Sequence, residues 1–92
     1  MTIKYTKNFL DKLENVFAAS DYILRYEKGN FKSGYCVLKE NRIVIINKYY
    51  TLEGKINALV DIIKELGFGP KDFSDKKIQD LLSELQQTEL KL

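Results

Sequence analysis

The chain has 92 residues, 45% hydrophobic and 30% charged, with a net charge of +2; that is one domain's length and ordinary globular usage, outside the regime of disorder. It contains no histidine, one cysteine and one proline, which excludes an imidazole base, Ser-His and Cys-His nucleophile pairs, an ordinary zinc site and an internal disulfide. Lys4, Lys7, Asp11, Lys12 and Glu14 interrupt the N-terminal region, and the longest apolar runs, such as Ile43-Val44-Ile45-Ile46, are four residues. Neither pattern suits a secretory signal or a membrane span, so a cytoplasmic protein without membrane association is expected.

Phe9, Leu10, Leu13, Val16 and Phe17 lie at helical spacing with charges between them, and predict a helix over about 3–19. Ser20-Asp21 breaks that period. Tyr22, Leu24 and Tyr26 then alternate with Ile23, Arg25 and Glu27, the two-residue period of a strand over 22–27. Lys28-Gly29-Asn30 reads as a turn into a strand over 31–39, with Gly34 as a bulge, and Glu40-Asn41 as a tight hairpin into a strand over 42–48. Four consecutive apolar residues in that third strand predict cover on both faces or nearly so.

Thr51 is placed to cap a helix over 52–66, whose stripe is Leu52, Ile56, Leu59, Val60, Ile63 and Leu66; Gly67 then fits a left-handed ending with Phe68 as its apolar contact. Gly69-Pro70 stops the helix. Ser74 is read as the cap of a last helix over 75–86, with Phe73 and Ile78 as a hydrophobic staple and 87–92 frayed. The order αβββαα predicts a single two-layer α+β domain spanning 1–92, in which helices pack on a three-stranded antiparallel sheet.

Charge is uneven: residues 25–55 carry seven Lys or Arg and three Glu, whereas residues 1–24 are neutral and 56–92 net −2. The basic stretch is also aromatic. Arg25, Lys28, Phe31, Lys32, Tyr35, Arg42, Lys48, Tyr49 and Tyr50 form the candidate interaction surface. Cations interleaved with rings on a sheet suit a single-stranded nucleic acid, phosphates taking the charge and bases stacking; the same residue types also occur as strand packing and as charged edges.

The segment from Gly29 to Cys36 pairs two glycines with Ser33 and the thiol, yet matches no phosphate-loop pattern, so a turn and bulge are expected there. Cys36, between Tyr35 and Val37, is read as a buried core residue, since no histidine stands ready to take its proton. Asp61 with Glu65, and Asp80 with Glu84, share helix faces but mix with Lys64, Lys76 and Lys77 as solvated surfaces do.

The run from Arg25 to Cys36 followed by Ile43 to Lys48 resembles small uncharacterised bacterial proteins of the Bacteroidetes type, a likeness over most of the chain that implies no activity. Ile43 to Asn47, Glu53 and Asn57 to Lys64 resemble the strand-loop-helix leading into the HExxH helix of small zinc-peptidase domains of the ImmA/IrrE kind. In that register Val60 and Lys64 stand at the histidine positions and Asp61 at the glutamate. That resemblance implies a shared shape without the hydrolysis, because valine cannot ligate zinc and lysine repels it. The expectation is a non-enzymatic protein with no cofactor and no metal, acting through a protein partner or self-association, with single-stranded nucleic-acid binding as the alternative.

Overall fold

A computed structural model describes residues 4–28 and 35–89 of the chain. In chain order its elements are α1 (Lys7–Ala19), β1 (Ile23–Glu27), β2 (Tyr35–Leu38), β3 (Ile43–Asn47), α2 (Leu52–Leu66), a 3-10 turn (Pro70–Asp72) and α3 (Lys76–Glu89). This is the expected αβββαα order of an α+β domain. The turn at Lys28-Gly29-Asn30, the bulge at Gly34 and the strand residues 31–34 fall outside the described residues.

The sheet is mixed, not purely antiparallel as expected. Its order is β1-β3-β2, with β1 parallel to β3 and β2 antiparallel to it. The end of β1 and the start of β2 therefore lie at one end of the sheet with β3 inserted between them, so β1 and β2 are the two edge strands and do not pair with each other. The apolar run of β3 marks a central strand, bonded on both sides, rather than one covered on both faces: Val44 and Ile46 are fully buried, while Ile43 and Ile45 are half-buried.

The β2–β3 connection is the four residues Lys39–Arg42, in which Asn41 N donates to Leu38 O and Arg42 N to Lys39 O, both at 3.2 Å. Arg42 adopts a left-handed φ of 55°.

Helix ends follow local chemistry. Thr6 Oγ1 accepts from Phe9 N at 3.1 Å, so α1 begins at Lys7, later than predicted. At its other end, Ser20 Oγ donates to Phe17 O at 2.8 Å and accepts from Tyr22 N at 3.0 Å, turning the chain into β1.

Thr51 Oγ1 accepts from Gly54 N at 3.0 Å. At the far end of α2, Gly67 at φ 73° donates to Lys64 O and Phe68 N donates to Ile63 O, the paired bonds of a Schellman ending. A glycine is required there because a side chain strains at positive φ.

The cap of α3 is Asp75, one residue after the predicted Ser74: its Oδ1 accepts from Lys77 N at 2.8 Å and its carbonyl from Gln79 N at 3.0 Å. With Asp75 as the cap, the staple positions fall on Ser74 and Gln79, and Phe73 packs its ring on Phe68. The backbone of α3 stays helical to Glu89, beyond the predicted end at 86.

All three helices contribute to one core. Phe9, Leu10, Leu13, Val16 and Phe17 of α1 meet Ile56, Leu59, Val60, Ile62 and Ile63 of α2 and Ile78, Leu81, Leu82 and Leu85 of α3, with Val44 and Ile46 as the sheet's floor. Phe68 is a hub of edge-to-face rings, with centroids 5.8 Å from Phe17, 6.0 Å from Tyr22 and 5.7 Å from Phe73. Such pairs add about 0.5–1.5 kcal/mol each beyond area burial.

Candidate functional site

Side chains that pair across strands share a face, so the register sorts the sheet into two sides. Leu24, Val44 and Val37 form one row under the helices, and Tyr26, Ile46 and Tyr35 the next. The opposite side holds the row Ile23, Ile43, Leu38, the row Arg25, Ile45, Cys36, and the pair Glu27 and Asn47.

On this outer side Ile23 is 59% exposed and Leu38 40%. Cys36 is half-buried there, a correction to its expected place in the core: the two-residue period puts it opposite Ile45 and away from the helices. The outer surface is thus aliphatic with one ion pair, Arg25 Nη2 to Glu27 Oε2 at 2.5 Å.

The candidate surface predicted from sequence does not come together. Arg25 lies on the outer face, whereas Tyr35 lies on the inner one, half-buried. Burial first, then the charges of Asp61 and Glu65 and the nearby Tyr50, raise the Tyr35 phenol above its usual range. Arg42 sits at the opposite end of the sheet, 3.4 Å from Asp21 Oδ2, and a five-residue strand separates it by roughly 17 Å from the end that carries Lys48.

Lys48 N donates to Glu27 O at 3.1 Å, which brings Lys28 and Lys48 side by side. There Tyr49 is 67% exposed with Lys48 Nζ 5.2 Å above its ring, and Tyr50 rests on Gly54, where an added Cβ would meet the Tyr50 ring at 3.1 Å. Lys28, Lys48, Tyr49 and Tyr50 are therefore one basic-aromatic corner. Phe31 and Lys32 lie outside the described residues.

Two further features were not singled out by the sequence. One is a polar clasp: the Tyr26 hydroxyl donates to Glu14 Oε2 while Lys55 Nζ lies 5.2 Å from the Tyr26 ring, joining α1, β1 and α2. Alongside it Tyr5 donates to Asn57 Oδ1 at 2.9 Å. The other is an open groove of about 1150 Å³ between α1 and α3, with Phe9, Ala18, Ile78 and Leu81 among apolar lining residues and both Lys and acidic groups at its sides.

Burial, then the Glu14 hydrogen bond and the charges of Glu14 and Asp11, push the Tyr26 phenol far above its ordinary value. A raised pKa in the folded state means that the fold holds the proton more tightly than the unfolded chain does. The stability is complete below the unfolded value of about 10 and is lost as pH climbs above it. An ultraviolet titration of tyrosinate is therefore expected to leave Tyr26 protonated until the fold gives way, and Tyr26→Phe should flatten the alkaline fall in stability. Uniform ionisation of all six tyrosines with the fold intact would contradict this.

Along α2, Val60 faces the core at 3% exposure, while Asp61 and Lys64 are exposed. Among the described residues no three His, Cys, Asp or Glu side chains gather as a metal site, and no helix is long and apolar enough to cross a membrane. The fold and surfaces define a small α+β domain with a mixed three-stranded sheet. No family model, curated protein or solved structure matches it.

Proposed function

We propose that this protein is a non-enzymatic binding domain that contacts a protein partner through the helix-free side of its sheet. The observation that carries this reading is the aliphatic outer face, with Ile23 and Leu38 substantially exposed around half-buried Ile43, Ile45 and Cys36. An exposed contiguous apolar surface marks an interaction site where scattered single residues do not. A stacking platform for bases needs rings on the open side of the sheet, and here Tyr26 and Tyr35 point toward the helices.

The alternative, nucleic-acid binding, rests on the Lys28, Lys48, Tyr49 and Tyr50 corner. The two readings separate in one comparison, using immobilised wild-type protein and Leu38→Lys with extract from the source cells and with labelled single-stranded oligonucleotides. A protein held by the wild type, released by Leu38→Lys and insensitive to salt supports the outer face. Oligonucleotide binding that weakens steeply with salt and survives Leu38→Lys would replace this reading with the alternative.

A further inference from the structure

β1 is an edge strand, and the ladder fixes which of its backbone groups are free. Ile23 N donates to Arg42 O at 2.8 Å and Lys48 N donates to Glu27 O at 3.1 Å. In a parallel ladder alternate residues bond to the same neighbour, so Ile23, Arg25 and Glu27 turn their N–H and C=O toward β3. Leu24 and Tyr26 turn theirs outward, and none of the described residues pairs with that side.

Unprotected edges are usually guarded by charge that repels a second strand. The charges here have the opposite property, because Arg25 and Glu27 are two residues apart on one face and of opposite sign.

We infer that a second copy of this chain adds to that edge, β1 against β1 antiparallel, about a twofold axis through Tyr26. In this register the two Tyr26 residues exchange both backbone hydrogen bonds. Arg25 and Glu27 then face the second copy's Glu27 and Arg25 in non-hydrogen-bonded pairs, where opposite side chains come closest.

Ladder parity requires only that Leu24 and Tyr26 supply the bonded groups, so charge decides among the axes it allows. One through Arg25 or Glu27 would set that residue against its own copy, like charges in the closest pair, and one through Ile23 would leave Arg25 and Glu27 without each other as partners. An axis through Leu24 would set Ile23 against Arg25 and waste the charge pattern. With the axis at Tyr26 each arginine lies between two glutamates, its own at 2.5 Å and the second copy's across the seam. All four side chains are accessible, at 56% for Arg25 and 39% for Glu27, and the alternating signs set register more than affinity.

The pairing also changes the outer face. Strands of five, four and five residues present about 220 Å² by strand spacing and rise, well short of the roughly 800 Å² per partner of a stable protein interface. Joining two copies makes a six-stranded sheet and doubles that area on one continuous side, without requiring that the partner proposed above be identified.

Sedimentation velocity over a wide concentration range tests the pairing. The wild type is expected to show a monomer–dimer equilibrium. Arg25→Glu and Glu27→Arg, each placing like charges across the seam, should weaken association by about tenfold or more. An equimolar mixture of the two variants should restore it, because opposite charges again face each other, and the double substitution Arg25→Glu/Glu27→Arg should dimerise like the wild type. Melting curves confirm that each variant is folded. A wild type monomeric throughout, single variants that dimerise unchanged, or a mixture that fails to recover association would each overturn the inference.

Discussion

Phe17→Ala is expected to remove about 3–5 kcal/mol of stability, the cost of truncating a buried phenylalanine. For 92 residues the whole folding free energy is of order 5–14 kcal/mol, so this one change removes a large share of it. The size of the loss comes from position. Phe17 is fully buried in the last turn of α1, where its ring stands edge-on to Phe68 at 60°.

Phe68 is in turn fixed by the ending of α2 and packs on Tyr22 and Phe73, so the α1–α2–β1 junction shares a single aromatic cluster. A cavity there cannot be refilled without moving the end of α2. Urea unfolding should show the midpoint falling sharply with its slope unchanged. Tyr49→Ala, at a 67% exposed ring, should stay within about 0.5 kcal/mol of wild type. Equal stabilities for the two variants would remove the case for an aromatic hub.

What could be read from sequence was what is encoded locally. The bounds of α2 came through unshifted because Thr51, a regular apolar stripe and Gly67 are signals within a few residues of the ends they specify. The five buried residues of α1 are likewise the five that define its helical period.

Strand partnership was not legible. Nothing in Ile23–Glu27 states that β3, sixteen or more residues away, is its neighbour, and the short segment after it imitates a hairpin turn. The apolar run of β3 was a true signal of a central strand, read instead as cover on both faces. Asp75 stands where Ser74 was expected because both residue types can cap and they are adjacent in sequence.

The candidate surface dispersed for a reason of the same kind. Arg25 and Tyr26 are adjacent in sequence yet project from opposite sides of a pleated strand. Arg42 and Lys48 are six residues apart but belong to opposite ends of one. Sequence density of charge and rings between 25 and 50 was thus a one-dimensional cluster that the sheet divides among two faces and two ends. The aliphatic outer face escaped notice because its residues come from three strands, no one of which carries more than two of them.

The face assignment has a sharp consequence for neighbours in β3. Ile46→Asp is expected to unfold the protein at neutral pH. Ile46 is fully buried between Tyr26 and Tyr35, so the substitution forfeits about 2–5 kcal/mol of packing. It also strands a carboxyl among apolar groups, and keeping that carboxyl neutral at pH 7, three units above its ordinary pKa, costs about 4 kcal/mol more. The sum reaches the range of the domain's whole stability.

Ile45→Asp, one residue earlier, should cost about 1–2 kcal/mol through lost half-burial and strand propensity. Its side chain lies on the outer face directly between Arg25 and Cys36, where a carboxylate meets a guanidinium and reaches water. Far-ultraviolet circular dichroism and thermal melting at pH 7 distinguish the two, with a folded, cooperative Ile45→Asp beside an unfolded Ile46→Asp. Because an aspartate at 46 becomes tolerable once protonated, acidification toward pH 4 should recover part of the Ile46→Asp fold while leaving Ile45→Asp little changed. A reversal of the two phenotypes would mean that β3 presents its other side to the helices, and both the outer-face interface and the Arg25–Glu27 seam would fall with it.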